Sequence, residues 1–131
     1  MEQVRLLSNL ETTRQKLIQI VLIGQPELDE KLDDTSLRQL RQRITVRAYL
    51  GPLDEGEVGQ YVAHRLEMAG ANGRITFEPK SLNLAYRYSG GIPRLINAVC
   101  DHALLAGYVA GQWRINADCM KRAVVQLKGK R

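Results

Sequence analysis

Ser89-Gly90-Gly91-Ile92-Pro93-Arg94-Leu95-Ile96-Asn97 gathers the residue types in this chain best suited to chemistry. Two adjacent glycines let the backbone turn where a side chain would obstruct it, and Pro93 presets a helical φ at a first-turn position whose N–H has no intrahelical partner. Arg94 therefore leaves the first turn of a helix in a defined direction. Its guanidinium stays charged in any protein setting and presents a planar fork of donors, which suits it to gripping a terminal phosphate. The same spacing also describes a plain helix start with a solvated arginine, because Gly-Gly-x-Pro is common punctuation.

Other reactive side chains are sparse. Cys100 and Cys119 are too few for a disulfide framework and fall on apolar faces of predicted helices, where reduced, buried thiols are the expectation. Cys100 with His102, and the separate His64, lack the spacing of a structural zinc site. The net charge of +5 is uneven: residues 1–53 carry eight Lys/Arg against seven Asp/Glu, and residues 54–131 carry eleven against seven. Much of that excess is Lys121, Arg122, Lys128, Lys130 and Arg131 near the end, a pattern that suits a solvated helix face and favours only phosphate-type partners. No signal peptide and no apolar run of about 20 residues is present, so a cytoplasmic protein is expected.

The elements that must position these groups fall into two sets. Residues 2–10 read as the last turns of a helix, and Leu17 to Ile23 as a buried strand that stops at Gly24-Gln25-Pro26. A short helix over Leu28 to Leu32, another capped by Ser36 and running through Arg43, and an alternating strand over residues 44–50 complete an α/β piece. Two such strands cannot close a parallel sheet, so the first half of the domain is expected to lie outside this chain. Beyond Gly51-Pro52-Leu53 the pattern turns helical. Asp54 with Glu57 forms a capping-box-like start for a helix to about Ala69, with Val58, Tyr61, Val62, Leu66 and Met68 as its apolar side. Glu78-Pro79 opens a second helix, Ile92 a third reaching Val109, and Asn116 a fourth through Leu127. The expected boundaries are thus residues 1–53 for the α/β part and 54–131 for a helical bundle.

Taken together, residues 5–12, Ile23-Gly24-Gln25-Pro26-Glu27-Leu28, residues 37–44 and Gly90 to Asn97 resemble, in order and at suitable spacing, the AAA+ ATPases of the general secretion pathway protein A type, a family with relatives in pilus biogenesis. The resemblance implies the C-terminal part of an αβ nucleotide-binding domain followed by a helical lid, with ATP and Mg2+ held between them and at the edge of a neighbouring subunit. It implies a sensor-1 role for Gln25, whose amide donates and accepts together. Arg43 resembles the arginine finger that stabilises phosphoryl transfer in the next subunit, with Arg38 and Arg41 as rivals. Arg94 resembles sensor 2. Against the family pattern, the chain holds no Gly-x-x-x-x-Gly-Lys-Ser/Thr loop and no apolar strand ending in Asp-Glu, so magnesium ligands are absent from it and it is expected to be inactive alone.

The function implied is coupling of ATP binding and hydrolysis to assembly of a secretion or pilus system. Neighbouring subunits of a homo-oligomer and membrane-associated secretion or pilus components are its implied partners. The rival reading is a nucleic-acid-binding module of a transposition- or replication-related AAA+ protein. Against that reading stand the 5% aromatic content and the lack of a base-stacking platform. A third reading is a regulatory fragment that binds a partner through its helical bundle.

Overall fold

The computed structural model of the protein describes residues 19–129. The chain divides into two compact units, Met1–Tyr49 and Leu50–Arg131. The expected helix over residues 2–10 lies outside the described residues.

In the first unit, α1 (Glu27–Leu32) starts at Pro26 and carries Glu27, Asp29 and Glu30 in its first turn, where carboxylates favour the positive helix end. A 3-10 turn (Thr35–Leu37) leads into α2 (Arg38–Arg43). Asp34, and not Ser36, caps this segment: its carboxylate accepts the Ser36 N–H at 2.8 Å. That bond holds the Asp34 carboxyl below its ordinary pKa. Leu32 and Leu40 are buried, and ion pairs Arg41–Asp33 (2.9 Å) and Arg47–Asp29 (3.7 Å) brace the unit.

Among the described residues neither expected strand forms in this unit. The described part of the first run and all of residues 44–50 are without strand pairing, and Val21, Ile23, Val46 and Leu50 are 79–99% exposed. An apolar, β-branched run favours extended backbone, but a strand exists only when a neighbour satisfies its N–H and C=O groups. Among the described residues neither run has such a neighbour.

The second unit is a helical bundle. Its helices are α3 (Glu55–Met68), α4 (Pro79–Ser89), α5 (Pro93–Val109) and α6 (Ala117–Lys128). Local signals set each start. Asp54 accepts the Glu57 N–H at 2.8 Å while Glu57 accepts the Asp54 N–H at 2.9 Å, a complete capping box. Pro79 and Pro93 occupy first-turn positions, and Asn116 accepts the N–H groups of Asp118 and Cys119.

The parallel strands among the described residues lie here. β1 (Thr76–Phe77) pairs with β2 (Arg114–Ile115) in the register Thr76 to Arg114 and Phe77 to Ile115. Buried Ser81 locks the pair from below, with its hydroxyl 2.7 Å from the Glu78 carbonyl and 3.0 Å from that of Ile115. Arg114 and Glu78 form an ion pair over it at 3.2 Å.

α5 runs through the middle of the bundle and buries Ile96, Val99, Cys100, Ala103 and Gly107. These meet Val58, Val62, Ala85, Ile115, Cys119, Met120 and Ala123 in one core. Each large side chain that is fully withdrawn, such as Ile96 or Met120, contributes about 1.5–3 kcal/mol. Gly107 is small for a packing reason, because a Cβ there would overlap the Ile115 side chain. Met68, expected on the apolar face of α3, is instead 74% exposed at the last turn, where that face has run past its neighbours.

Candidate functional site

The second unit builds its most distinctive surface around the start of α5. α4 ends at Gly90, which adopts the left-handed conformation (φ 59°) and returns its N–H to Tyr86. Gly91 follows at φ 79°, and a Cβ on it would overlap the Leu53 carbonyl oxygen. The Leu53 N–H donates to the Gly91 carbonyl at 2.9 Å. Glycine is therefore favoured at the first position by its backbone angle and required at the second by angle and space together. Pro93 then opens α5 and Arg94 takes its second position. Its side chain is exposed, and it makes no salt bridge among the described residues. A cation held this way at a helix start is unfavourable toward the helix dipole, so a bound anion would relieve both charges.

One turn further along α5 lies Asn97, whose side-chain oxygen accepts the Tyr61 hydroxyl at 3.0 Å. That bond joins α3 to α5. Tyr61, expected in the core, is half-buried and uses its polar tip as well as its ring. Asn97, Asp101, Tyr61 and Arg65 line a groove of about 130 Å³ between these two helices. Arg94 is on the same helix but does not line the groove. A larger groove of about 470 Å³, along α3, β1 and Leu82, has no lysine or arginine in its wall.

Gln25 and Arg43 belong to the other unit. Gln25 is exposed, and its carbonyl accepts the Leu28 N–H at 2.8 Å as the chain enters α1. Arg43 is exposed at the last position of α2, and its neighbour Arg41 is engaged by Asp33. Of the remaining candidates, His64 is exposed on α3, and His102 sets Nδ1 3.0 Å from the Ala98 carbonyl.

Cys100 and Cys119 are both free and buried, as expected. Burial, reinforced by the nearby Asp101 charge, pushes the Cys100 thiol up to about 12, so it is no nucleophile in the neutral range. The described residues hold no group of three His, Cys, Asp or Glu able to bind a metal, and no helix long and apolar enough to cross a membrane.

Leu53, Ser89 and Asn97 stand in segments that the sequence singles out, but their own roles were not assigned from it. Asn97 had a signal, since it lies three positions after Arg94 on one helix face. Leu53 and Ser89 act through contacts 38 and 2 residues away from Gly91, and only the shorter of these is legible as a local pattern.

No family model matches the chain, and no solved structure matches it. Over 129 residues it is 50% identical to "General secretion pathway protein A" of Aeromonas hydrophila, a match that takes in 98% of this chain. The chain spans 23% of that protein's length. The match extends over nearly the whole chain and is not confined to one motif, and over that segment the chain is similar to general secretion pathway protein A.

Proposed function

We propose that this chain is the coupling part of an AAA+ ATPase that drives assembly of a secretion or pilus system. In this reading the first unit is the C-terminal part of the αβ nucleotide-binding domain and the second is its helical lid. Arg94 reads the terminal phosphate of ATP from the lid. Gln25 orients the attacking water or the γ-phosphate, and Arg43 enters the site of a neighbouring subunit in a homo-oligomer. The carrying observation is the start of α5, where an exposed arginine without an ion pair among the described residues projects from a turn that has no room for a side chain at Gly91. The 50% identity to a secretion pathway protein supports the biological setting.

The residues present fit part of a nucleotide and not all of it. An arginine at a helix start suits a phosphate, and a partly polar groove lined by Tyr61 and Asn97 lies between α3 and the helix that bears Arg94. The phosphate loop and the magnesium-holding acids are not in this sequence. When bound, ATP and magnesium supply the reacting phosphoryl group and its charge neutralisation. This chain's own groups orient the terminal phosphate, donate hydrogen bonds to it and stabilise developing charge.

Steady-state turnover tests the reading. The isolated chain is expected to hydrolyse no ATP above background. In a polypeptide that places a phosphate loop and Asp-Glu strand ahead of it, Arg43→Ala should lower kcat by about a thousandfold and leave ATP affinity nearly unchanged. Adding subunits that lack the loop lysine but keep Arg43 should restore turnover. Mixed assemblies that form and stay inactive would exclude a role in trans.

A further inference from the structure

Residues 50–53, the connector segment that opens the second unit, do not pass the bundle untouched. The Leu53 N–H donates to the Gly91 carbonyl at 2.9 Å, and the Leu53 side chain packs against the core. Gly91 is pinned from the other side, its own N–H donating to the Ser89 hydroxyl oxygen at 3.2 Å. That hydroxyl donates in turn to the Tyr86 carbonyl at 3.3 Å, and Ser89 is only 2% exposed. The Ser89 carbonyl accepts the Ile92 N–H, and the Ile92 carbonyl accepts the N–H groups of Leu95 and Ile96. A continuous set of bonds therefore runs from the connector, through Gly91 and Ser89, into the turn that bears Arg94.

We infer that the connector and the Ser89–Ile92 turn form one mechanical joint, in which Ser89 and Gly91 are positioning residues that convert connector displacement into movement of Arg94. The joint is closed on both sides. Gly91 holds a positive φ and leaves no room for a Cβ beside Leu53, so the connector packs directly on the turn and displacing it breaks the Leu53–Gly91 bond. Two elements sharing their hydrogen bonds open together, and a perturbation at either end is felt at the other. The functional meaning of the joint rests on the reading of Arg94 as a phosphate sensor, but its existence does not.

Amide hydrogen exchange on the 131-residue chain tests this without nucleotide. Ser89→Ala should speed exchange at Leu53 and at Leu95 by about tenfold, the scale of one lost hydrogen bond, while Ala123 in α6 stays unchanged. The reciprocal variant Leu53→Ala, which keeps the N–H and removes the side chain, should speed exchange at Gly91 and Leu95 by a similar factor. Arg94→Ala should alter neither, which separates failure of the joint from failure of the sensor reading. In the unmodified chain, Leu53 and Gly91 should show the same opening free energy and the same denaturant dependence, so a variant that does not fold leaves the test intact. Different opening energies for these two amides, or a Ser89→Ala chain whose Leu53 exchange is unchanged, would overturn the joint.

Discussion

Arg94 and Gly91 stand three residues apart and divide one task, the glycine fixing where the chain turns and the arginine using the direction this creates. Gly91 carries the greater structural burden. Its left-handed backbone costs a side-chain-bearing residue about 1–2 kcal/mol, and the Leu53 carbonyl occupies the space a Cβ would need. Gly90 has a similar φ of 59° but open space around it. Gly91→Ala should therefore lower stability by about 3 kcal/mol and Gly90→Ala by about 1 kcal/mol, read as denaturation midpoints at unchanged slope. Equal losses would mean that the approach to Leu53 has no energetic weight. The need for two glycines before Pro93 was visible in the sequence, but the reason they differ was not. It depends on Leu53, which lies 38 residues away along the chain.

At the scale of elements, helices were legible and strands were not. Asp54 with Glu57, Pro79, Pro93 and Asn116 act within one turn of themselves, so their signals survive whatever the rest of the chain does. A strand has no such independence. The runs at 17–23 and 44–50 have the right composition, yet the described residues offer them no ladder. The pair that does form, Thr76–Phe77 with Arg114–Ile115, is two residues long and is set by the packing of α4, α5 and α6 around it. The basic face of α6 illustrates the opposite case, a feature plain in sequence whose use is not. Lys121, Arg122 and Lys128 are exposed, and Lys121 already pairs with Asp118 at 3.6 Å. Such a face binds duplex DNA only by counterion release. Binding seen at ~50 mM salt should be lost at ~200 mM and be indifferent to sequence. Affinity that persists at the higher salt and disappears when Lys121, Arg122 and Lys128 are changed to Gln would favour the nucleic-acid reading instead.

For the whole molecule, the proposal that the second unit is a phosphate-sensing lid requires that sensing discriminate ATP from its product. Under that proposal Arg94 contributes at the terminal phosphate and contributes nothing to a nucleotide without one. Charge elsewhere on the bundle adds affinity for both nucleotides alike. Titration of the 131-residue chain with ATP and with ADP, each repeated on Arg94→Ala and on Lys128→Gln, separates these contributions most directly. The expected result is weak binding in which ATP is preferred over ADP by about tenfold, a preference erased by Arg94→Ala and retained by Lys128→Gln. Equal affinities for ATP and ADP in the unmodified chain, or a preference for ATP that survives Arg94→Ala, would contradict it.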